Sequence, residues 1–170
     1  MQIDIQLISL LLSIIGLAIA IIAYWNSQSK TPNSTNQVAF ETTPLRLQAY
    51  ERLVLLAERI ALPHLINRLY QPSLSALEMK QLLVDSIRQE FEYNSTQQLY
   101  VSPIAWDAVK NLKEQEILFI NQLFSTLSPQ DNASVLTRKL LEAEMAKPEG
   151  PLFELVTQTL NREAKKLMSV

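Results

Sequence analysis

The stretch LISLLLSIIGLAIAIIAYW, residues 7–25, decides how this chain is organised. It runs nineteen residues without a charge, and eleven of them are Leu or Ile. At a helical rise of about 1.5 Å per residue it would reach roughly 28 Å, close to the thickness of a bilayer's hydrocarbon layer. Each Leu or Ile near the middle of such a helix favours insertion by about 0.3–0.6 kcal/mol, and Tyr24 and Trp25 end the run with rings suited to the headgroup level. The expectation is a transmembrane helix that anchors residues 1–25 in the lipid bilayer through Leu7–Trp25. A cleavable signal peptide is disfavoured: it needs a basic lead and a shorter apolar core. Residues 2–6, QIDIQ, carry Asp4 and no Lys or Arg.

Charge asymmetry sets the expected orientation. Asp4 stands before the run, while Lys30 and then Arg46, Arg52 and Arg59 come after it. Basic flanks stay on the cytoplasmic side. The reading is a single-pass protein with the helical domain in the cytoplasm. The absence of cysteine fits that compartment and equally a reduced periplasmic one.

Residues 26–43, NSQSKTPNSTNQVAFETT, are rich in Ser, Thr and Asn, show no helical period, and are expected to form a flexible linker. As a coil it would reach roughly 24 Å. Residues 44–170 are expected to form a helical domain, long enough for its own core. From Pro44 onward there are 14 basic and 15 acidic side chains, what remains of the chain's 15 and 17 after Lys30, Asp4 and Glu41. That balance offers nucleic acid no basic face. Two glycines in the whole chain, with abundant Leu, Ala, Glu, Gln and Lys, are helix composition.

Punctuation marks the helices. Thr43-Pro44 reads as a cap with proline at the first helical position, opening LRLQAYERLVLLAERIAL. Pro63 either kinks that helix or starts a second. Ser75–Glu78 has the capping-box pattern, with Asn94 as a left-handed C-terminal cap. Ser102-Pro103 opens a helix to about Leu127, and Ser128-Pro129 another to about Ala146. Lys147–Gly150 breaks the chain before a last helix to about Met168. The expected fold is all-α: an N-terminal transmembrane helix, a flexible linker, and a bundle of about five helices. In the first of these, Leu53–Ala57 is apolar nearly all round, which suits a helix central in the bundle or shared with a partner. In the last, Leu152, Phe153, Val156, Leu160, Ala164 and Leu167 form one stripe. Its end carries Arg162, Lys165 and Lys166, which suit the helix dipole or anionic headgroups.

Signals for chemistry are sparse. The only histidine, His64, has no cysteine beside it for a zinc site, and two glycines cannot build a phosphate loop. Glu90/Glu92 and Glu114/Glu116 stand two apart and so point to different sides of a helix. Glu142, Glu144 and Glu149 read as a solvated face. No catalytic residue, metal ligand or cofactor is expected. The densest stretch is Glu90–Pro103 with Trp106, which gathers carboxylates, amides and aromatic rings between two helices. Amides there usually satisfy loop backbone, whereas Tyr, Trp and Asn also suit partner recognition. Glu92, Asn94, Gln97, Gln98, Tyr100 and Trp106 are the candidate partner-binding residues.

Leu47–Val54, Glu90–Asn94, Gln97–Ser102 and Ala105-Trp106 together resemble an uncharacterised family of bacterial single-pass membrane proteins, commonest in the Bacteroidota. The resemblance covers the apolar run, the linker and most of the helical domain. It implies a bacterial inner-membrane location and brings no activity, cofactor or site residue. The functional expectation is a non-enzymatic interaction or scaffold module, an accessory subunit that meets an unidentified protein partner or a second copy of itself. The alternative is a tethered enzyme or ligand sensor whose site gathers distant carboxylates, His64 and the amide corner.

Overall fold

The computed structural model describes residues 16–17, 19–24 and 34–169, with backbone alone for residues 34–41. Most of the Leu7–Trp25 run and residues 26–33 of the expected linker lie outside the described residues. Within the run, residues 16–17 and 19–24 are helical and exposed. Among the described residues no helix is long and apolar enough to cross a membrane. The chain divides into two compact units, Met1–Glu41 and Thr42–Val170.

From residue 34 onward the helices are α1 Ser34–Ile60, α2 Leu62–Leu69, α3 Ala76–Tyr93, α4 Pro103–Phe124, α5 Ala133–Met145 and α6 Leu152–Met168, with a 3-10 turn Ser95–Leu99 between α3 and α4. The second unit is all-α among the described residues, with one isolated antiparallel bridge, Ser75 to Asn132. That bridge sets the starts of α3 and α5 side by side, the Ala76 amide donating to the Asp131 carbonyl and the Ala133 amide to the Leu74 carbonyl at 3.0 Å.

Several boundaries differ from the sequence reading. Residues 34–43 are helical rather than coil, and Pro44 lies inside α1 rather than at its first turn. Residues 34–43 hold no glycine or proline, but the helix crosses Pro44, which has no amide to donate to the carbonyl four residues back. The break after Ile60 is real: Ala61 has ψ 128°, and Pro63 sits in the first turn of a separate α2. The capping box at Ser75 and Glu78 forms in both directions, and Ser102 Oγ accepts from the Ala105 amide at 3.2 Å. Asn94 is not a left-handed cap. Its φ is −99°, because the chain runs on into the 3-10 turn instead of reversing. Ser128-Pro129 starts no helix. The Asp131 carboxylate accepts the Ser128 amide at 2.9 Å and closes a turn, whose Pro129 carbonyl takes the Leu77 amide of α3 at 3.2 Å. The cap of α5 is Asn132, whose Oδ1 accepts from the Ser134 amide at 2.8 Å. Gly150 has φ +75°, a left-handed conformation suited to glycine, at the break before α6.

The core is a continuous apolar cluster of Leu53, Leu56 and Ile60 from α1, Leu62 and Leu65 from α2, Met79, Leu83 and Ile87 from α3, Leu112 and Ile120 from α4, and Leu136 and Leu140 from α5. Val156 and Leu160 of α6 complete it, with Leu152, Phe153, Ala164 and Leu167 packed alongside, the stripe expected from sequence. Helix α1 is not apolar all round: Leu53, Leu56 and Ile60 point inward while Leu55 is 60 % exposed.

Candidate functional site

Three arrangements in the second unit gather polar side chains. The first is the connection from α3 to α4. Asn94 is buried, and its Nδ2 donates to the Glu90 carbonyl at 2.9 Å, so it ties off the end of α3. Trp106 is half-buried against Phe91, ring centroids 5.1 Å apart, with the Lys113 ammonium 4.5 Å from the centre of the Phe91 ring. Gln97 donates to Thr96 Oγ1 at 3.3 Å. Glu92, Gln98 and Tyr100 face solvent. The six candidates therefore divide: Asn94 and Trp106 hold the connection together, Gln97 is partly covered, and Glu92, Gln98 and Tyr100 stand outward. One support has no signal in the sequence. The Ser102 amide donates to the hydroxyl of buried Tyr50 at 3.0 Å, fastening the connection to α1.

The second arrangement is an open groove of about 680 Å³ between α1 and α3, lined by Arg52, Leu55, Leu56, Arg59, Gln89, Glu90, Tyr93 and Asn94. Glu90 accepts from Arg59, a hydrogen bond that raises the Arg59 guanidinium further. The Arg68 guanidinium approaches the same carboxylate oxygen at 3.6 Å. Arg52 has no ion-pair partner among the described residues, and Leu55 and Tyr93 expose apolar surface beside it. The groove offers a cation and an apolar wall to a docking segment.

The third is buried. Glu116 of α4 and Glu144 of α5 are 2 % and 3 % exposed. Lys147 Nζ lies 2.5 Å from Glu144 Oε2 and 4.3 Å from the centre of the Phe119 ring. Burial pushes the Glu116 carboxyl up to about 8. The neighbouring Glu144 carboxylate adds to this and the Lys147 ammonium opposes it. At neutral pH Glu116 is thus a neutral acid beside a carboxylate–ammonium pair. Among the described residues Glu116 Oε2 and Glu144 Oε1 have no hydrogen-bond partner, and Glu116 and Lys147 line a cavity of about 150 Å³ with Gln115, Leu118, Phe119, Gln122 and Leu152.

This corrects the expectation of a solvated acidic face for Glu144. The signal was present in helical spacing: Glu116 falls four residues from both Leu112 and Ile120, and Glu144 four from Leu140. Each continues a buried stripe. Glu114, two residues from Glu116, does point elsewhere: it is exposed and paired with Lys113 at 2.7 Å. His64 does not join the buried acids. Its Nδ1 lies 2.9 Å from the Glu58 carbonyl oxygen and 3.1 Å from Glu58 Oε2, and its ring meets Phe153 edge-on at 5.4 Å. Among the described residues no group of three or more His, Cys, Asp or Glu side chains is placed to hold a metal ion.

A family model described as a family of unknown function, DUF7935, matches residues 2–167. The chain belongs to this family. The DUF7935 match takes in the apolar run and nearly all of the helical unit. No curated protein and no solved structure matches the chain.

Proposed function

We propose that this DUF7935 protein is a membrane-anchored helical docking module, an accessory subunit held at the bacterial inner membrane, and not an enzyme. One observation carries the anchoring: in the helical residues 16–17 and 19–24, Leu17, Ile19 and Ile22 are 66, 61 and 66 % exposed, with Ile21 and Tyr24 beside them. A contiguous apolar helix surface of this kind needs a cover, and hydrocarbon matches it. The uncharged run Leu7–Trp25 supplies the length. The charge asymmetry between Asp4 and Lys30 favours a cytoplasmic second unit. The groove beside Arg52, Leu55 and Tyr93 supports the docking role. It is open, part apolar and part cationic, and suits a protein segment or a second copy better than an enclosed small molecule.

The test is fractionation and purification of the full chain from its host. The chain is expected to stay in the membrane pellet through an alkaline carbonate wash and to carry an associated protein or a second copy. Leu55→Glu or Tyr93→Ala is expected to remove that association while the helical circular-dichroism signal persists. Release by carbonate would overturn the anchoring. Association unchanged by both substitutions would overturn the docking surface. A second reading, a tethered sensor or enzyme, draws on Glu116 and Glu144 beside their small cavity. It predicts a ligand-dependent change in the stability of the second unit that Glu116→Gln removes.

A further inference from the structure

The cavity of about 150 Å³ beside Glu116 is built by three segments: one side of α4, the break after α5 and the start of α6. Gln115, Leu118, Phe119 and Gln122 follow one another at helical spacing, so α4 lays them along one face. Gln115, Leu118 and Gln122 are exposed, which opens the cavity to solvent. Glu116 lines the same cavity yet is only 2 % exposed, so it forms the buried part of the wall. Its Oε2, without a hydrogen-bond partner among the described residues, is what the cavity offers a ligand.

The charges around this oxygen are uneven. Glu144 faces Glu116 from α5, Lys147 faces it from the break that follows, and no charged group of α3 or α6 bears on it. The Lys147 ammonium is already engaged, bonded to Glu144 Oε2 and seated over the Phe119 ring. Two carboxyls thus share one cation. The Glu116 charge can be met by a proton, as burial favours near neutral pH, or by a second cation in the cavity. A water molecule can satisfy the Oε2 lone pair but brings no charge. The lining selects the class of cation. A divalent metal takes several oxygen ligands, and among the described residues no group of three or more His, Cys, Asp or Glu is placed to hold one. Leu118, Phe119 and Leu152 make much of the wall apolar, which suits an alkyl body. Glu116 and the side-chain amides of Gln115 and Gln122 are acceptors, and a primary ammonium carries three N–H donors to meet them.

We propose that this cavity binds a primary ammonium ion on a short alkyl chain, with its N–H groups on the Glu116 carboxylate and its carbon body against Phe119 and Leu152. Such a site goes beyond the docking role; it rests on the cavity of the sensor reading and gives that reading a ligand. Binding exchanges one ion for another: the Glu116 carboxyl releases its proton to solvent as the ammonium enters, so the cluster stays neutral. With the free carboxyl titrating at about 8, affinity should rise about tenfold per pH unit below that value and level off above it.

Thermal midpoints of the full chain in mild detergent test this, with ethylammonium chloride compared against equal sodium chloride from about pH 6 to about pH 8. The amine stays charged throughout, since it titrates at about 10, as lysine does. Ethylammonium is expected to raise the midpoint of the parent, with a dissociation constant that falls about tenfold per pH unit. Glu116→Gln keeps the shape of the wall without a charge to bury, and its midpoint is expected not to respond. Tetramethylammonium, which has the charge and no N–H, is expected to act like sodium. A rise that survives in Glu116→Gln would put the ammonium elsewhere and overturn the site. An equal rise with tetramethylammonium would overturn the hydrogen-bonded ammonium. Sodium acetate that stabilises the parent most at the lower pH, and not Glu116→Gln, would make the neutral acid a donor to an anion; that would overturn the cation and leave the sensor reading standing. Midpoints that no ion moves beyond sodium chloride would overturn the cation site and the sensor reading together.

Discussion

Replacing Glu116 with Gln should change how the stability of the second unit depends on pH. The folded Glu116 carboxyl titrates near 8, against 4.5 for an ordinary glutamate. Between those values the folded chain holds a proton that the unfolded chain releases. The unfolded state then binds fewer protons, so stability falls as pH rises through this window and levels off above it. Each pH unit is worth about 1.4 kcal/mol, so from pH 4.5 to pH 7 this one group withdraws about 3 kcal/mol. Gln has the same shape and no charge to bury. Glu116→Gln should therefore match the parent near pH 4.5 and exceed it by about 3 kcal/mol at pH 7, where the urea midpoint would rise by about 1.5 M for a slope near 2 kcal/mol/M. Urea titrations of both full-length proteins in mild detergent, monitored by circular dichroism at several pH values, give the difference directly. Changes from all other groups cancel in that difference. A gap between the two proteins that stays constant with pH would refute the buried-acid account, because only a titration displaced by folding produces a slope.

Two further substitutions test the supports around the site. Lys147→Met leaves the buried Glu144 carboxylate without its cation. It should cost about 2–3 kcal/mol, less than the 3–5 typical of a fully buried pair because Lys147 reaches solvent. Adding Glu144→Gln should recover most of the loss, measured as thermal midpoints of the single and double variants. Tyr50→Phe removes the acceptor of the Ser102 amide and should cost about 1–2 kcal/mol. Hydrogen exchange at the Ser102 amide should quicken, while core amides such as that of Leu83 slow or quicken only with global stability.

How much of this molecule is legible in its sequence depends on whether the deciding force is local. Ser75 with Glu78, and Ser102 with Pro103, are caps whose partners stand within three residues, so chain and structure agree on them. Ser128-Pro129 has the same local look, yet the Pro129 carbonyl is used by Leu77 of α3, far away in sequence. A turn that serves another helix cannot be told from a helix start by its own letters. Residues 34–43 mislead for the opposite reason. Their polar composition argues for coil and Pro44 for a helix start, yet the helix runs through both and accepts the missing amide hydrogen bond at Pro44.

The buried acids carry the larger lesson about the site. Glu116 and Glu144 come from two different helices, so their meeting could not be read from spacing. That each points inward could have been, since each occupies the next place on a stripe of Leu and Ile. A carboxyl on such a stripe has three outcomes: it distorts the helix to reach water, it keeps its charge beside a cation, or it gives up its charge. Here the Lys147 ammonium neutralises Glu144, and Glu116, left without a cation of its own, stays protonated. The cluster is therefore electrically neutral near pH 7 and costs the fold less than its two carboxylates suggest. Sequence reading that scores every Glu as surface discards a position whose protonation state is set by folding.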